Sequence, residues 1–191
     1  MAVDQMIELR IHGRGGQGAV VASKVLAEAA FLRGHYVQSY PDYGVERRGA
    51  PVAAFARIAE PGDDFFVRQD IREPNHLLVL DASLLGSAPT LSGLKPGGWV
   101  VVNTPEPPAG LAIPADYRVA TVDAAEIAVR HGLGSRAQPV VNTAILGAFV
   151  RATGVVALDA LLEAIDREVP VKAEENRAAA TEAFARVRLG E

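Results

Sequence analysis

The hydrophobic and polar positions of the first forty residues predict a strand, a glycine-rich turn, a helix and a second strand. Residues 6–12 mix β-branched and leucine side chains with polar ones, as short strands do. Residues 17–32 carry apolar side chains at helical spacing, and Gly34 provides the stop. Residues 35–39 then predict another short strand. This succession is typical of the opening of a doubly wound sheet.

Shorter apolar runs continue the pattern along the chain. They predict strands at residues 52–58, 76–80, 99–102 and 117–122, a short helix at 83–91 and a helix from about residue 123. Prolines break the connector at residues 105–114, and the last third predicts helices at 140–151, 158–165 and 173–188. We therefore expect one α/β domain over residues 1–191. It would be a Rossmann-like, mostly parallel sheet with flanking helices and a helical C-terminal third.

Composition narrows the possible functions. Hydrophobic residues make up 49% and charged residues 22% of the 191 positions, a balance typical of globular proteins. A net charge of −4 gives no sign of a basic face, so we do not expect nucleic acid as a partner. The chain has no cysteine, which excludes cysteine-ligated iron–sulfur clusters and thiolate metal sites within it. It shows neither a secretory signal nor a membrane-spanning run, so a cytoplasmic location is expected.

The turn between the first strand and the first helix is the leading candidate for a phosphate site. Gly13, Gly15 and Gly18 fit the pattern G-x-G-x-x-G, and Gly16 leaves the turn barer still. Glycine lets a phosphate approach the backbone, and the start of a helix favours an anion. Arg14 adds a cation. The acid that holds a nicotinamide ribose and the lysine of a Walker A loop are both missing, and the glycines could instead only permit close helix packing.

Two other segments and several single residues are further candidates. The loop at residues 41–49 contains two adjacent arginines, and Arg48 could hold a phosphate or carboxylate; a solvated loop is the alternative. In the segment at 142–148, Asn142 could bond a loop and Gly147 could let a helix approach another backbone, with helix packing the favoured interpretation. The four histidines have no metal-ligand spacing, and we expect His12 to pack rather than bind. Asp81, at a strand end, could cap the following helix.

Together these segments resemble the gamma subunits of the 2-oxoacid:acceptor oxidoreductases, the family of pyruvate, ketoisovalerate and phenylglyoxylate enzymes. Residues 13–18, including Gln17, match the family's G-x-G-G-Q-G signature. Residues 43–49 resemble its Y-G-x-E-x-R-G loop, and residues 142–148 resemble its N-x-x-x-L-G-A segment. The three matches fall in the family's order and span most of the chain. Ala50 and Pro51 depart from the usual continuation of the loop, which stiffens the backbone there.

The resemblance implies a subunit that is inactive alone. The family's complexes decarboxylate a 2-oxoacid on thiamine diphosphate, pass electrons to iron–sulfur clusters and release an acyl-CoA. Thiamine diphosphate, Mg and the clusters would lie in partner subunits, whereas the gamma subunit would contribute to coenzyme A binding and active-site closure. By resemblance, the coenzyme A site would comprise Gly13, Arg14, Gly15, Gly16, Gln17, Gly18, Tyr43, Glu46, Arg48 and Gly49.

Two other functions stay open. A stand-alone Rossmann methyltransferase or dehydrogenase would share the glycine turn, and residues 94–98 followed by an apolar strand are similar to methyltransferases. The missing acid after the second strand argues against both. A non-catalytic scaffold would use the glycine turn for packing alone, and coenzyme A binding would separate it from the first hypothesis.

Overall fold

A computed structural model describes residues 6–42, 49–60, 69–86 and 90–190. These residues form one seven-stranded sheet with the strand order β2-β3-β1-β4-β5-β6-β7. The strands are β1 (Ile7–Arg14), β2 (Tyr36–Pro41), β3 (Pro51–Ala59), β4 (His76–Val79), β5 (Trp99–Asn103), β6 (Arg118–Val122) and β7 (Arg188–Leu189). The predicted α/β class is confirmed, and β1, β4, β5 and β6 form its parallel centre.

The opening of the sheet differs from a doubly wound fold. β3 lies antiparallel between β1 and β2, pairing along β1 from Ile7↔Ile58 to Arg14↔Pro51. The prediction that the first two strands begin a doubly wound sheet was therefore wrong. The reason is that the chain turns back after β2 and forms a hairpin with β3, and no sequence period distinguishes that hairpin from a crossover. As a result, the start of β3 lies beside the end of β1.

Five α-helices occur in the described residues: α1 (Ala19–Phe31), α2 (Ala124–Arg130), α3 (Asn142–Thr153), α4 (Leu158–Glu168) and α5 (Ala173–Arg186). They match the predicted helices apart from their ends. The short helix predicted at 83–91 is a 3₁₀ turn at Ala82–Gly86, and a second 3₁₀ turn, Pro108–Gly110, lies in the proline-rich connector. α5 ends two residues early because Arg188 and Leu189 pair with β6.

The helices cover one face of the sheet and the connectors cover the other. Leu9 and Ile11 of β1 pack in the core beneath α1 and α3–α5, whereas the alternate residues Arg10 and His12 face the connectors. Leu77 and Val79 belong to a second, smaller cluster on the connector face. This division follows from the period of two along each strand. The carboxyl ends of the parallel strands consequently stay open between the two layers.

α3 and α5 pack against each other in the same direction and at close range. Thr143 donates a hydrogen bond to Asn176, and the guanidinium of Arg151 lies 5.3 Å from the ring centroid of Phe184. Between these pairs, a Cβ on Gly147 would overlap the backbone of α5 at Ala180. Glycine at position 147 thus supports the predicted close packing of two helices.

Candidate functional site

The glycine turn is held against the first residues of β3. The backbone N–H of Gln17 donates to the carbonyl oxygen of Arg14 over 2.9 Å, which closes the turn. Gly15 exchanges hydrogen bonds with the end of the loop at residues 41–49, the arginine loop. Its N–H donates to Ala50 O over 2.9 Å, and its carbonyl accepts from Gly49 N over 3.1 Å. The end of that loop therefore lies directly beside the turn. Tyr43, Glu46 and Arg48 lie outside the described residues, and their roles stay predictions.

The glycines of the turn divide into two kinds of position. A Cβ on Gly13 would lie 3.1 Å from Leu80 Cδ1, and one on Gly18 would lie 2.5 Å from Asn142 Nδ2. These two glycines are needed for packing. Gly16 has φ +96° and Gly18 has φ +81°, but only at Gly16 does no atom lie within 4 Å of the place a Cβ would take. Gly16 is therefore where the turn leaves open space for another molecule.

The side chain of Arg14 stabilises the turn through contacts with other parts of the protein. Its Nε lies 2.9 Å from Asp81 Oδ2, its Nη1 donates to Gly49 O over 3.1 Å and its Nη2 donates to Ser83 Oγ over 2.8 Å. Gln17 contributes to the same cluster, accepting from Arg14 N over 2.7 Å and donating to Asp81 over 3.4 Å. The arginine and the end of the loop are thus fixed relative to β4 by one carboxylate.

Asp81 is both a cap and an ion-pair partner. Its Oδ1 accepts from the backbone N–H of Ser83 over 3.0 Å, which confirms the expected cap, although the element that follows is a 3₁₀ turn. Burial by itself would raise the pKa of Asp81. Hydrogen bonds from Ser83 and the charge of Arg14 outweigh that effect and lower the pKa below its ordinary value. Asp81 therefore stays a carboxylate, as the ion pair with Arg14 requires.

A cavity of about 280 Å³ opens at this carboxyl edge. Gly15, Gly16 and Gln17 form one side, and Asn103 and residues 137–141 form the others. Asn103 is fixed by two hydrogen bonds: its Nδ2 donates to Leu80 O over 3.0 Å, and its Oδ1 accepts from Ala125 N over 3.2 Å. Sequence reasoning missed Asn103 as a site residue. Its one signal was a polar side chain directly after an apolar strand.

A larger depression lies elsewhere and is a weaker candidate. It measures about 650 Å³, opens widely to solvent and runs along α2. Two of its charged lining residues, Glu126 and Arg130, form an ion pair with each other. The smaller cavity is favoured because it combines an open glycine, a helix start and fixed polar side chains.

The histidine that precedes the turn is bonded within the protein. His12 accepts a hydrogen bond from Arg10 Nε over 3.0 Å, and burial, assisted by the Arg10 charge, lowers its pKa to about 4. The expectation that His12 packs rather than binds is thereby supported. Within the described ranges, no three histidine, aspartate or glutamate side chains are grouped to hold a metal ion.

Comparison with known proteins identifies the family. The model of the pyruvate ferredoxin/flavodoxin oxidoreductase family matches residues 8–186. The chain belongs to this family. It is 47% identical over 183 residues to the pyruvate/ketoisovalerate oxidoreductases common subunit gamma of Thermococcus litoralis, covering 94% of this chain and 96% of the relative. The resemblance to gamma subunits is thereby confirmed.

Solved structures of relatives share the fold of this gamma-type chain. The pyruvate oxidoreductase subunit PORC of Thermotoga maritima superposes with a TM-score of 0.79 at 34% identity, covering 98% of this chain and 99% of that one. A 2-oxoglutarate:ferredoxin oxidoreductase of Magnetococcus marinus, solved with 2-oxoglutarate, coenzyme A and succinyl-CoA bound, has a TM-score of 0.69 at 20% identity. It shows the same fold inside a longer chain, since the match covers 95% of this chain and 30% of that one. None of the described helices is long and apolar enough to cross a membrane.

Proposed function

We propose that this chain is the gamma subunit of a thiamine-dependent complex that converts a 2-oxoacid and coenzyme A to an acyl-CoA and CO2. In this proposal it contributes to coenzyme A binding and to closure of the active site. Thiamine diphosphate, Mg and the iron–sulfur clusters are held by partner subunits. Membership of the family supports the reaction class, and the absence of cysteine is consistent with clusters held elsewhere.

The observation that carries the proposal is Gly16 at the cavity edge. Its backbone is bare, it has a positive φ, and it lies just before the start of α1. α1 begins at Ala19 without a side-chain cap and without an acid in its first turn, so its N-terminal N–H groups and partial positive charge suit an anion. Coenzyme A carries a diphosphate and a 3′-phosphate, which are the groups such a turn can hold.

The contacts of Arg14 indicate different roles for the two arginines of the predicted site. The Arg14 guanidinium is directed to Asp81, Ser83 and Gly49, so in this proposal Arg14 shapes the turn. Arg48 stays the predicted cation for a phosphate, motivated by its sequence position one residue before Gly49. We therefore expect Arg14 variants to alter the geometry of the loop, and Arg48 variants to weaken the binding of the negatively charged ligand.

The test is coenzyme A binding and turnover in the assembled complex. The complex, reconstituted with its thiamine-binding and iron–sulfur subunits, should reduce a dye with a 2-oxoacid only when coenzyme A is present. The isolated chain should be colourless and inactive with every 2-oxoacid. A purified single chain that reduced the dye would contradict the proposal. The scaffold alternative instead predicts that no variant of the turn alters the KM for coenzyme A.

A further inference from the structure

A second cavity lies next to the first, on the helical side of the same edge. It measures about 300 Å³, and Val140 separates it from the cavity above the glycine turn because it borders both. Its walls come from the first turns of three helices, through Val21 of α1, Asn142 of α3 and Asn176 of α5. This cavity shares Val140 and the start of α1 with the proposed coenzyme A site, and its other lining residues lie outside that site.

The three helix starts give the cavity a positive character. α1, α3 and α5 begin at the N-caps Gly18, Val141 and Lys172, and none of them has a side-chain cap. The first turns of α1 and α3 contain no acidic residue. The two acids in the first turn of α5 do not line the cavity. The partial positive charges of these starts add to the ammonium of Lys172, so the cavity favours a negative group.

Asn142 points to the same chemistry independently. Its side chain borders the cavity although the residue is only 7% exposed. Its Oδ1 accepts from Thr143 N over 2.9 Å, whereas no described residue accepts a hydrogen bond from its Nδ2. The Nδ2 is not among the enclosed, unsatisfied atoms of the described residues, so this donor is reachable from the cavity that Asn142 lines. An incoming oxygen would satisfy it.

The rim of the cavity is apolar and exposed. Val21, Val140 and Val171 are 40%, 42% and 69% exposed. They make up half of the large hydrophobic side chains that are exposed in the described part of the chain. Isolated surface valines are ordinary, but a group of them around one cavity marks an interaction surface. The rim favours an apolar occupant, and the interior favours a carboxylate on it.

We propose that this cavity, with its valine rim, docks a partner subunit of the same complex through an apolar segment that carries a carboxylate. The inference rests on the proposed function in one respect, namely that the chain works inside a complex. The occurrence of the same fold as 30% of a longer chain supports it, because there the domain is covalently joined to further protein. Complementary charge sets the orientation of the partner segment: its acidic side chain enters the cavity, and the valines pack against its apolar residues.

The experiment compares assembly of matched variants with the other subunits of the complex. Val171→Asp places a negative charge at an exposed position of the rim, where it would repel the incoming carboxylate. Val171→Thr keeps the shape of the side chain without the charge and is the control. Phe31→Asp introduces the same charge at the far end of α1, where Phe31 is 57% exposed. We expect at least tenfold weaker capture of the partner subunits by Val171→Asp, and near wild-type capture by Val171→Thr and Phe31→Asp.

Asn142→Asp tests the charge of the pocket directly. It retains the Oδ1 that accepts from Thr143 and replaces the amide donor by a carboxylate oxygen. A negative group at helix starts suits the isolated chain, so its melting temperature should be kept or raised. Capture of the partners should nevertheless fall at least tenfold, because the carboxylate repels the incoming one. If Asn142→Asp failed to fold, Val171→Asp would still decide the question.

Several results would overturn the inference. One is normal capture by both Val171→Asp and Asn142→Asp. Another is an isolated wild-type chain that dimerises and that Val171→Asp makes monomeric, since the occupant would then be a second copy. Tight binding of inorganic phosphate, lost in Asn142→Asp while subunit capture is unchanged, would indicate a small-anion site instead. A different result would support the docking site and contradict the proposed function: weak capture by Val171→Asp and Asn142→Asp, with a KM for coenzyme A that no substitution in the glycine turn alters.

Discussion

Gly16 allows the proposed ligand role to be separated from backbone strain, because the chain contains a matched control. Gly16 has φ +96° and Gly34 has φ +88°, and around both the space for a Cβ is empty. Alanine at either position therefore pays the same kind of cost, about 1–2 kcal/mol for a left-handed conformation. The two sites lie at opposite ends of α1, roughly 20 Å apart for a helix of this length. Only Gly16 borders the cavity.

We expect Gly16→Ala and Gly34→Ala to lower the free energy of unfolding by similar amounts. Only Gly16→Ala should affect coenzyme A. Loss of one hydrogen bond to a charged phosphate is worth about 1.5–3 kcal/mol, which corresponds to a roughly ten- to hundredfold higher KM. The assay is steady-state kinetics of the reconstituted complex with coenzyme A varied, alongside urea unfolding of each isolated chain. Equal KM values for the two variants would refute the reasoning and favour a turn used only for packing.

Three further results are expected. Asp81→Asn removes the ion-pair charge facing Arg14, so it should cost about 1 kcal/mol of stability and raise the KM for coenzyme A several-fold; an unchanged KM would separate this cluster from the site. Gly147→Ala should destabilise the chain by about 1–3 kcal/mol in thermal unfolding despite its better helix propensity, because α5 must move away. Burial lowers the pKa of His12 and His76 to about 4, so the unfolded chain binds more protons between about pH 6.5 and 4. Stability should fall by about 2 kcal/mol per histidine from pH 7 to 5, and His12→Gln should reduce that slope in urea titrations.

Local rules in the sequence were sufficient for the elements and for the family. Helix periodicity found α1, α3, α4 and α5. Gly34, Gly154 and Pro170 indicated where the first three of them end, because a left-handed glycine or a proline ends a helix whatever the tertiary fold. The glycine-rich signature also placed the turn between β1 and α1. These features depend on residues that are close together along the chain, so they can be predicted from a single sequence.

Pairings between distant residues needed the tertiary structure. The sequence could not show that β3 lies between β1 and β2, since a hairpin and a crossover use the same strand pattern. Nor could it distinguish Gly13 and Gly18, which make room for Leu80 and Asn142, from Gly16, which faces open space. All three are the same residue in one motif, and only the atoms opposite each of them differ.

The same limit applies to charge. From sequence, Arg14 was a candidate cation for a phosphate, whereas the fold directs its guanidinium to Asp81, which is 67 residues away along the chain. The cavity at the starts of α1, α3 and α5 likewise joins segments that no local pattern connects. Sequence determined which residues could bind and which elements carry them. The three-dimensional packing determined which of those residues are already occupied by the protein itself, because a contact between distant segments exists only after the chain has folded.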